Sequence, residues 1–305
     1  MANKFAGHTE HSAEYFGESR DFWWSRDFLD LVAARWRLGE ARLVLDVGCG
    51  VGHWSRTLGQ VLRPDAMLVG IDREPRWVEA ALERAVAAGF GDRFSYRVGS
   101  GEAIPFPDHS FDLVTCQTVL IHCPDPGAVV REMVRVVRPG GRVAVVEPNN
   151  ATNTLIDPSV VDASVDDILV LVRMQLRCER GKVAVGEGAI SLGEQVPKLF
   201  VDAGLSQVSV FLNDHAGALI PPYTSPEALA IVDEMRESVR REMWAWTREV
   251  TERYFVAGGG TAAEFSVAWA LAGREYRRQF EGVLRGTWVA PRGSINYLVS
   301  GIRAG

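Results

Sequence analysis

Three glycines at alternate positions, Gly48, Gly50 and Gly52, close the apolar run Arg42–Asp46 (RLVLD) and Val47. A buried strand that ends this way must turn sharply. Glycine allows that turn and lets a ligand touch the backbone. A helix placed directly after the turn aims free N–H groups at whatever binds there. A dinucleotide fingerprint needs a small residue three positions after its second glycine, where helix packs on strand. Counted from Gly48 and Gly50, that position is His53, and the third glycine comes one residue early at Gly52. The spacing G-x-G-x-G suits a nucleoside ligand without a pyrophosphate. No Gly-Lys-Ser/Thr follows, which excludes a P-loop.

The turn is the first of several. Met67–Ile71, Phe94–Val98, Phe111–Cys116 and Arg142–Glu147 are further strand-like runs bounded by turn signals. Helical patterns lie between them. Pro75 starts one that stops at Gly89. Asp125-Pro126 caps another, with Val129, Met133 and Val137 at every fourth position and Arg138-Pro139-Gly140-Gly141 as its end. Such alternation predicts a mostly parallel sheet with helices on its faces. Asp72 ends the second strand, 20 residues after Gly52. A carboxylate there can accept hydrogen bonds from two ribose hydroxyls.

Together with Gly101-Glu102-Ala103-Ile104-Pro105-Phe106-Pro107-Asp108 and Phe111-Asp112, these motifs resemble the class I S-adenosylmethionine-dependent methyltransferases of small-molecule type. The resemblance covers roughly residues 40–150. It implies an α/β fold: a Rossmann-like, seven-stranded, mostly parallel sheet with the last strand antiparallel, and added helices forming a cap. Val208–Leu212 and Ile295–Ile302 supply the two further strands. It also implies S-adenosylmethionine as cofactor, with Gly48, Gly50 and Gly52 under its methionine and ribose. Asp46 then orders the loop and faces the ligand's amino group, Asp72 holds the ribose, and Gln117 meets the methionine portion through its backbone. Where the family usually has Asp before the small-Glu pair, this chain has Ser100. Adenine recognition then falls to the Gly101 N–H, Glu102 or Ser100 Oγ. Arg20, among the N-terminal aromatics Tyr15, Phe16, Phe22, Trp23 and Trp24, can grip the methionine carboxylate in a two-pronged pair.

The implied domains are 1–40 as lid helices, 41–150 as cofactor-binding core, and 151–305 as substrate-side helices plus the last two strands. Beyond the polar loop Asn149–Asn153, Ser164 can cap a helix carrying Ile168, Leu171, Val172 and Leu176. Ser191 with Glu194 reads as a capping box. Ser225-Pro226 opens one long helix with Leu229, Val232, Met235, Val239, Met243, Trp246 and Val250 on a stripe, broken at Gly258-Gly259-Gly260. Thr261 with Glu264 caps the next, bearing Phe265, Trp269, Ala272, Tyr276 and Phe280. These stripes read as core packing beside the acceptor pocket.

Methyl transfer needs alignment of acceptor and methyl, and a neutral acceptor can also need a base. His122 and Glu147 stand close to strand carboxyl ends. His122 is the better candidate, and Glu147 reads as a cap for the loop it precedes. His53 and His215 have only their identity to recommend them. Pro221-Pro222-Tyr223 is similar to the motif of amino-methylating nucleic-acid enzymes, but that motif follows the fourth strand, where this chain has Cys116-Gln117-Thr118-Val119. The net charge of −6 opposes broad phosphate-backbone binding. Cys49, Cys116, Cys123 and Cys178 form no CxxC pair, and no clustered ligand spacing indicates a metal. The expectation is reduced cysteines in a cytoplasmic enzyme, with no signal peptide, no membrane span and no oligomeric state assigned. Three readings stand: small-molecule methyltransferase, nucleic-acid or protein methyltransferase, and nucleotide-binding dehydrogenase.

Overall fold

The computed structural model describes residues 17–156, 163–214, 216–243 and 246–305. Tyr15, Phe16 and His215, named above, lie outside them. Contacts divide the chain into two units. One comprises residues 23–153, 188–216 and 293–305 and holds a seven-stranded sheet. The described residues of the other fall within 17–22, 154–187 and 217–292.

In the sheet unit, α1 (Arg26–Trp36) precedes β1 (Leu43–Val47), α2 (His53–Gly59), β2 (Met67–Asp72), α3 (Pro75–Ala87), β3 (Phe94–Val98), β4 (Phe111–Gln117), α4 (Pro126–Val136) and β5 (Val137–Asn149). α5 (Asn153–Ile156) leads into the helical unit, whose α6 is Val165–Ala184. The chain returns as α7 (Val196–Asp202) and β6 (Leu205–Leu212). It then leaves again for β7 (Gly217–Leu219), α8 (Pro226–Arg241), α9 (Arg248–Ala257), α10 (Ala262–Leu284) and β8 (Ala290–Arg292). The sheet's last strand is β9 (Ile295–Arg303).

Strand order is β3-β2-β1-β4-β5-β9-β6. β1 to β5 pair in parallel, while β9 runs antiparallel to both β5 and β6. The α/β expectation and the antiparallel last strand are therefore met. Val44, Leu45, Val47, Val114, Val143 and Val145 are fully buried, as strands covered on both faces require. β1 and β4 are neighbours, yet β2 and β3 lie to one side of that pair and β5 to the other. The order reverses there, and the crevice outside the strands' carboxyl ends opens at that point.

The helical unit departs from the periodicity reading in three ways. The long helix predicted from Ser225 is two helices. Glu242 adopts φ 49° and caps α8, and Thr247 Oγ1 accepts from the Val250 N–H to start α9. The N-cap bond of Thr247 starts a second helix within a stripe that stays apolar throughout. On α6 the buried face is Met174, Gln175, Cys178, Gly181 and Lys182, and Leu176 is exposed. α6 packs on α9 through backbone-to-backbone approach at Gly181 and Gly258, which an apolar count does not register. On α10 Phe265 is buried, but Ala268, Leu271 and Val283 accompany it, while Trp269, Tyr276 and Phe280 are half-buried.

Ser164, Ser225 and Thr261 cap their helices as expected. At Thr261 both halves of the capping box form: Thr261 Oγ1 accepts from the Glu264 N–H and Glu264 Oε2 accepts from the Thr261 N–H. Thr261→Ala is expected to cost about 1 kcal/mol, read as a lowered urea midpoint at unchanged slope. Ser191 is not the N-cap of α7. Its Oγ accepts from the Ala151 N–H at 2.9 Å, Glu194 accepts from Asn149 Nδ2, and Gln195 occupies the N-cap of α7. The pair ties down the loop after β5 instead.

Candidate functional site

The glycine loop folds as its spacing demands. Gly48, Gly50 and Gly52 have φ of 66°, 50° and 73°, the left-handed region that disfavours side chains. A Cβ at Gly48 would also stand 2.6 Å from Val119 Cγ2. The loop is hung from β2: the Cys49 N–H donates to the Ile71 carbonyl at 2.9 Å, and the Gly50 N–H donates to Asp72 Oδ2 at 2.9 Å. Asp72 Oδ1 accepts from the Glu74 N–H at 3.0 Å. Asp72 thus joins the loop to the end of β2 while only 6% exposed.

Asp46 sits at the opposite pole of the loop and is 1% exposed. Ser55 Oγ donates to its Oδ2 at 2.5 Å, whereas Oδ1 is buried without a hydrogen-bond partner. Burial, with the neighbouring Asp72 charge adding to it, raises its carboxyl to about 7 against the Ser55 bond. Gln117, two residues past Thr115, is 6% exposed, and its Nε2 is likewise buried and unpartnered. Thr115 pairs with Asp46 across β1 and β4. Strand alternation therefore puts Asp46, Thr115 and Gln117 on one face of the sheet. Trp54 Nε1 donates to Thr115 Oγ1 at 3.0 Å and occupies that position.

The raised carboxyl has a consequence for the free protein. Between about pH 4 and pH 7 the unfolded chain has lost this proton and the folded chain keeps it. Stability from this group is therefore expected to fall as pH rises through that window and to level off above it. Asp46→Asn should flatten this slope in urea unfolding measured across the range.

At the carboxyl end of β3, Ser100 Oγ accepts from the Glu102 N–H at 3.2 Å, and Ser100 bridges to Ala103. Gly101 lies over Val47, where a Cβ would meet Val47 Cγ1 at 3.0 Å. Glu102 is exposed. Glu147 is fully buried, and its role differs from the expected one. It accepts from the N–H groups of Val119, at 2.9 Å, Leu120, at 2.8 Å, and Ile121, at 3.3 Å. It caps the loop after the neighbouring strand β4. That fixes the 3-10 turn Leu120–His122, and His122 itself is half-buried at the turn's end.

The site residues of β1, β2 and β4 thus converge on the reversal point, with Ser100–Glu102 at the end of β3. Arg20 lies in the 3-10 helix Gly17–Phe22 of the helical unit. Trp24 belongs to the core, stacked on Phe28, and Trp23 meets His53 edge-on at 6.4 Å. Tyr223 packs with Leu219, Ala228 and Met235 and donates to the Trp288 carbonyl at 2.7 Å, so Pro221-Pro222-Tyr223 serves a small local core. Ser55 and Tyr96 escape the sequence reading. Ser55 reaches Asp46 only once α2 has folded back on β1, and no spacing rule encodes that return.

A cradle of alternate glycines, a carboxylate after β2 and the reversal of strand order are the features with which an open α/β sheet presents a ligand crevice. Residues 45–145, about a third of the chain, match the methyltransferase domain family. The chain is 38% identical over 104 residues to methyltransferase GfsG of Streptomyces halstedii, a stretch covering 34% of this chain and 37% of that one. It is 31% identical over 133 residues to the ubiquinone/menaquinone biosynthesis C-methyltransferase UbiE of Hahella chejuensis, covering 44% and 52%. The matched stretches thus span about half or less of these relatives. The YcgJ protein of Bacillus subtilis has the same fold at a TM-score of 0.51 and 18% identity, over 92% of this chain and 100% of that one. Among the described residues no helix is long and apolar enough to cross a membrane, and no group of three or more His, Cys, Asp or Glu could hold a metal ion.

Proposed function

We propose that the protein transfers a methyl group from S-adenosylmethionine to a small, partly hydrophobic acceptor in a cytoplasmic setting. The observation that carries this reading is the glycine cradle flanked by two unsatisfied buried atoms, Asp46 Oδ1 and Gln117 Nε2. An acceptor atom and a donor atom left bare in this way fit a ligand with an ammonium and a carboxylate, and they suit no purely apolar guest.

In this reading Gly48, Gly50 and Gly52 lie under the methionine and ribose, and Asp72 accepts from the ribose hydroxyls. Ser100, Gly101 and Glu102 contact the adenine edge, and Arg20 grips the carboxylate from the N-terminal segment. When bound, S-adenosylmethionine supplies an electrophilic methyl on a sulfonium. The chain's part is to bind, orient and exclude water. Residues 1–40 act as lid, 41–150 as cofactor-binding core, and 151–305 provide elements for acceptor recognition. A relative acting in quinone biosynthesis supports a ring-containing acceptor.

Calorimetry with S-adenosylmethionine, S-adenosylhomocysteine and NAD tests the cofactor. Binding of the first two and not the third is expected, and NAD binding alone would overturn the reading in favour of a dehydrogenase. His122 is the base in this proposal, held by the turn that Glu147 caps. His122→Ala is then expected to lower turnover by two orders of magnitude or more with cofactor affinity retained. A change of a few-fold would leave alignment as the whole mechanism.

A further inference from the structure

We propose that the exposed face of α6 is a docking surface for a second copy of this chain, paired with it antiparallel through the same helix. The pairing goes beyond methyl transfer and does not depend on it.

Spacing defines the face. α6 buries Met174, Cys178 and Gly181 against its own unit. On the opposite side of the helix, Val165, Leu169, Val172, Leu176 and Val183 recur at intervals of four, three, four and seven residues. That is the a/d seam of a coiled coil, with Glu179 at its one polar position. Four of the five stand open: Val165 is 71% exposed, Leu169 52%, Leu176 46% and Val183 59%. Val172 is half-buried. Single exposed apolar residues are ordinary, but a continuous row of them along one helix marks a surface that another molecule covers. A helix that is apolar on two opposite sides is a helix buried on both.

Charge selects the partner and its direction. Beside the seam, at its e positions, stand Asp166, Arg173 and Arg180. All three are exposed, and among the described residues none of them forms an ion pair, whereas Arg177 of the same helix holds Glu264 at 2.6 Å. An antiparallel pair with its twofold axis near Met174 sets Val165 against the partner's Val183 and Val172 against the partner's Leu176. Leu169 then lies along the stem of the partner's Glu179. In that arrangement e positions face e positions, so Asp166 meets the partner's Arg180 and Arg180 meets the partner's Asp166. The interface is self-complementary, as a twofold dimer requires. Arg173 alone meets its own copy, on the axis, where two exposed side chains splay into solvent. A parallel pair would set e against g, where Ile168 and Gln175 stand, and would answer none of the three charges.

Size sets the strength. α6 has 20 residues. Two such helices touch over about 30 Å, a contact below roughly 1,200 Å² in total, so the dimer is reversible with a micromolar Kd.

Sedimentation equilibrium of the whole chain over roughly 1–300 µM is expected to show monomer passing to dimer. Leu169→Lys combined with Leu176→Lys should stay monomeric throughout with an unchanged urea midpoint, since both positions are exposed. Asp166→Arg alone and Arg180→Glu alone should each weaken the dimer by roughly tenfold or more, because each turns two attractive contacts into two repulsive ones. Mixed in equal amounts, these two variants should recover the parent's affinity as a heterodimer in which both contacts attract. A mass independent of concentration would overturn the proposal, and so would a dimer indifferent to the two lysines, which would place the contact elsewhere. A mixture no tighter than either variant alone would overturn the antiparallel pairing. A monomeric parent whose urea midpoint drops on introducing the lysines would show instead that the row is covered within the same chain.

Discussion

S-adenosylmethionine affinity is expected to fall by roughly 10²–10⁴-fold in Asp72→Ala. In the proposed complex this carboxylate accepts from two ribose hydroxyls, and hydrogen bonds to a charged partner contribute about 1.5–3 kcal/mol each. The same substitution strips the acceptor from the Gly50 N–H at 2.9 Å and the Glu74 N–H at 3.0 Å, so the loop itself loses its tie to β2. Asp72→Asn separates the two effects. It retains one acceptor oxygen without the charge and should give an intermediate loss. Calorimetry with S-adenosylhomocysteine provides the check, and affinity within a few-fold of the parent would remove Asp72 from the ribose.

The largest expected stability loss lies in the helical unit. A Cβ built on Gly181 of α6 would stand 1.6 Å from the Tyr254 carbonyl oxygen of α9, and one on Gly258 would stand 1.9 Å from the Arg177 carbonyl oxygen of α6. Both obstacles are backbone, so no side-chain rotation relieves them, and the helices must separate. Alanine in a helix interior is ordinarily favourable over glycine by about 0.5–1 kcal/mol. Here that preference is overwhelmed, and Gly181→Ala is expected to destabilise by about 3 kcal/mol or more. Gly273→Ala on α10 is the internal control. Its Cβ would meet only the end of the Arg277 side chain, at 3.3 Å, and it should be neutral or slightly stabilising. Urea unfolding of the pair checks the contrast, and an unperturbed Gly181→Ala would mean that α6 and α9 do not approach this closely.

The sheet was legible because parallel strands buried on both faces read as unbroken apolar runs, and β1 to β5 each end at a turn signal. Asp46, Asp72 and the glycines were legible for the same reason: they stand at strand ends, where position along the chain nearly fixes position in space. Gln117 is the last residue of β4, the reading gave it a backbone contact, and its bare side-chain amide emerged only from the packing. Position alone does not tell that Glu147 reaches the loop beside its own, where three N–H groups of the turn after β4 donate to it. In the helical unit the hydrophobic period misled, because α6 buries Gln175, Gly181 and Lys182. β7 and β8, three residues each, are too short for a period to register at all.

β9 has a bearing on the order in which the molecule is assembled. It alone joins β6 to the rest of the sheet, and it follows β6 only after the whole stretch from Asn213 to Ser294. During synthesis β1 to β5 can pair as they emerge, whereas β6 must wait, its edge bare, through the synthesis of α8, α9 and α10. Its exposed Val210 and Leu212 make that interval one of aggregation risk. Its serines and the irregular register between Ser206 and Ser209 make the waiting edge a poor template for a stray strand. Late closure by β9 sets a single long-range step on which completion of the sheet depends, and refolding should slow when that strand is weakened, even where the cofactor cradle is already formed.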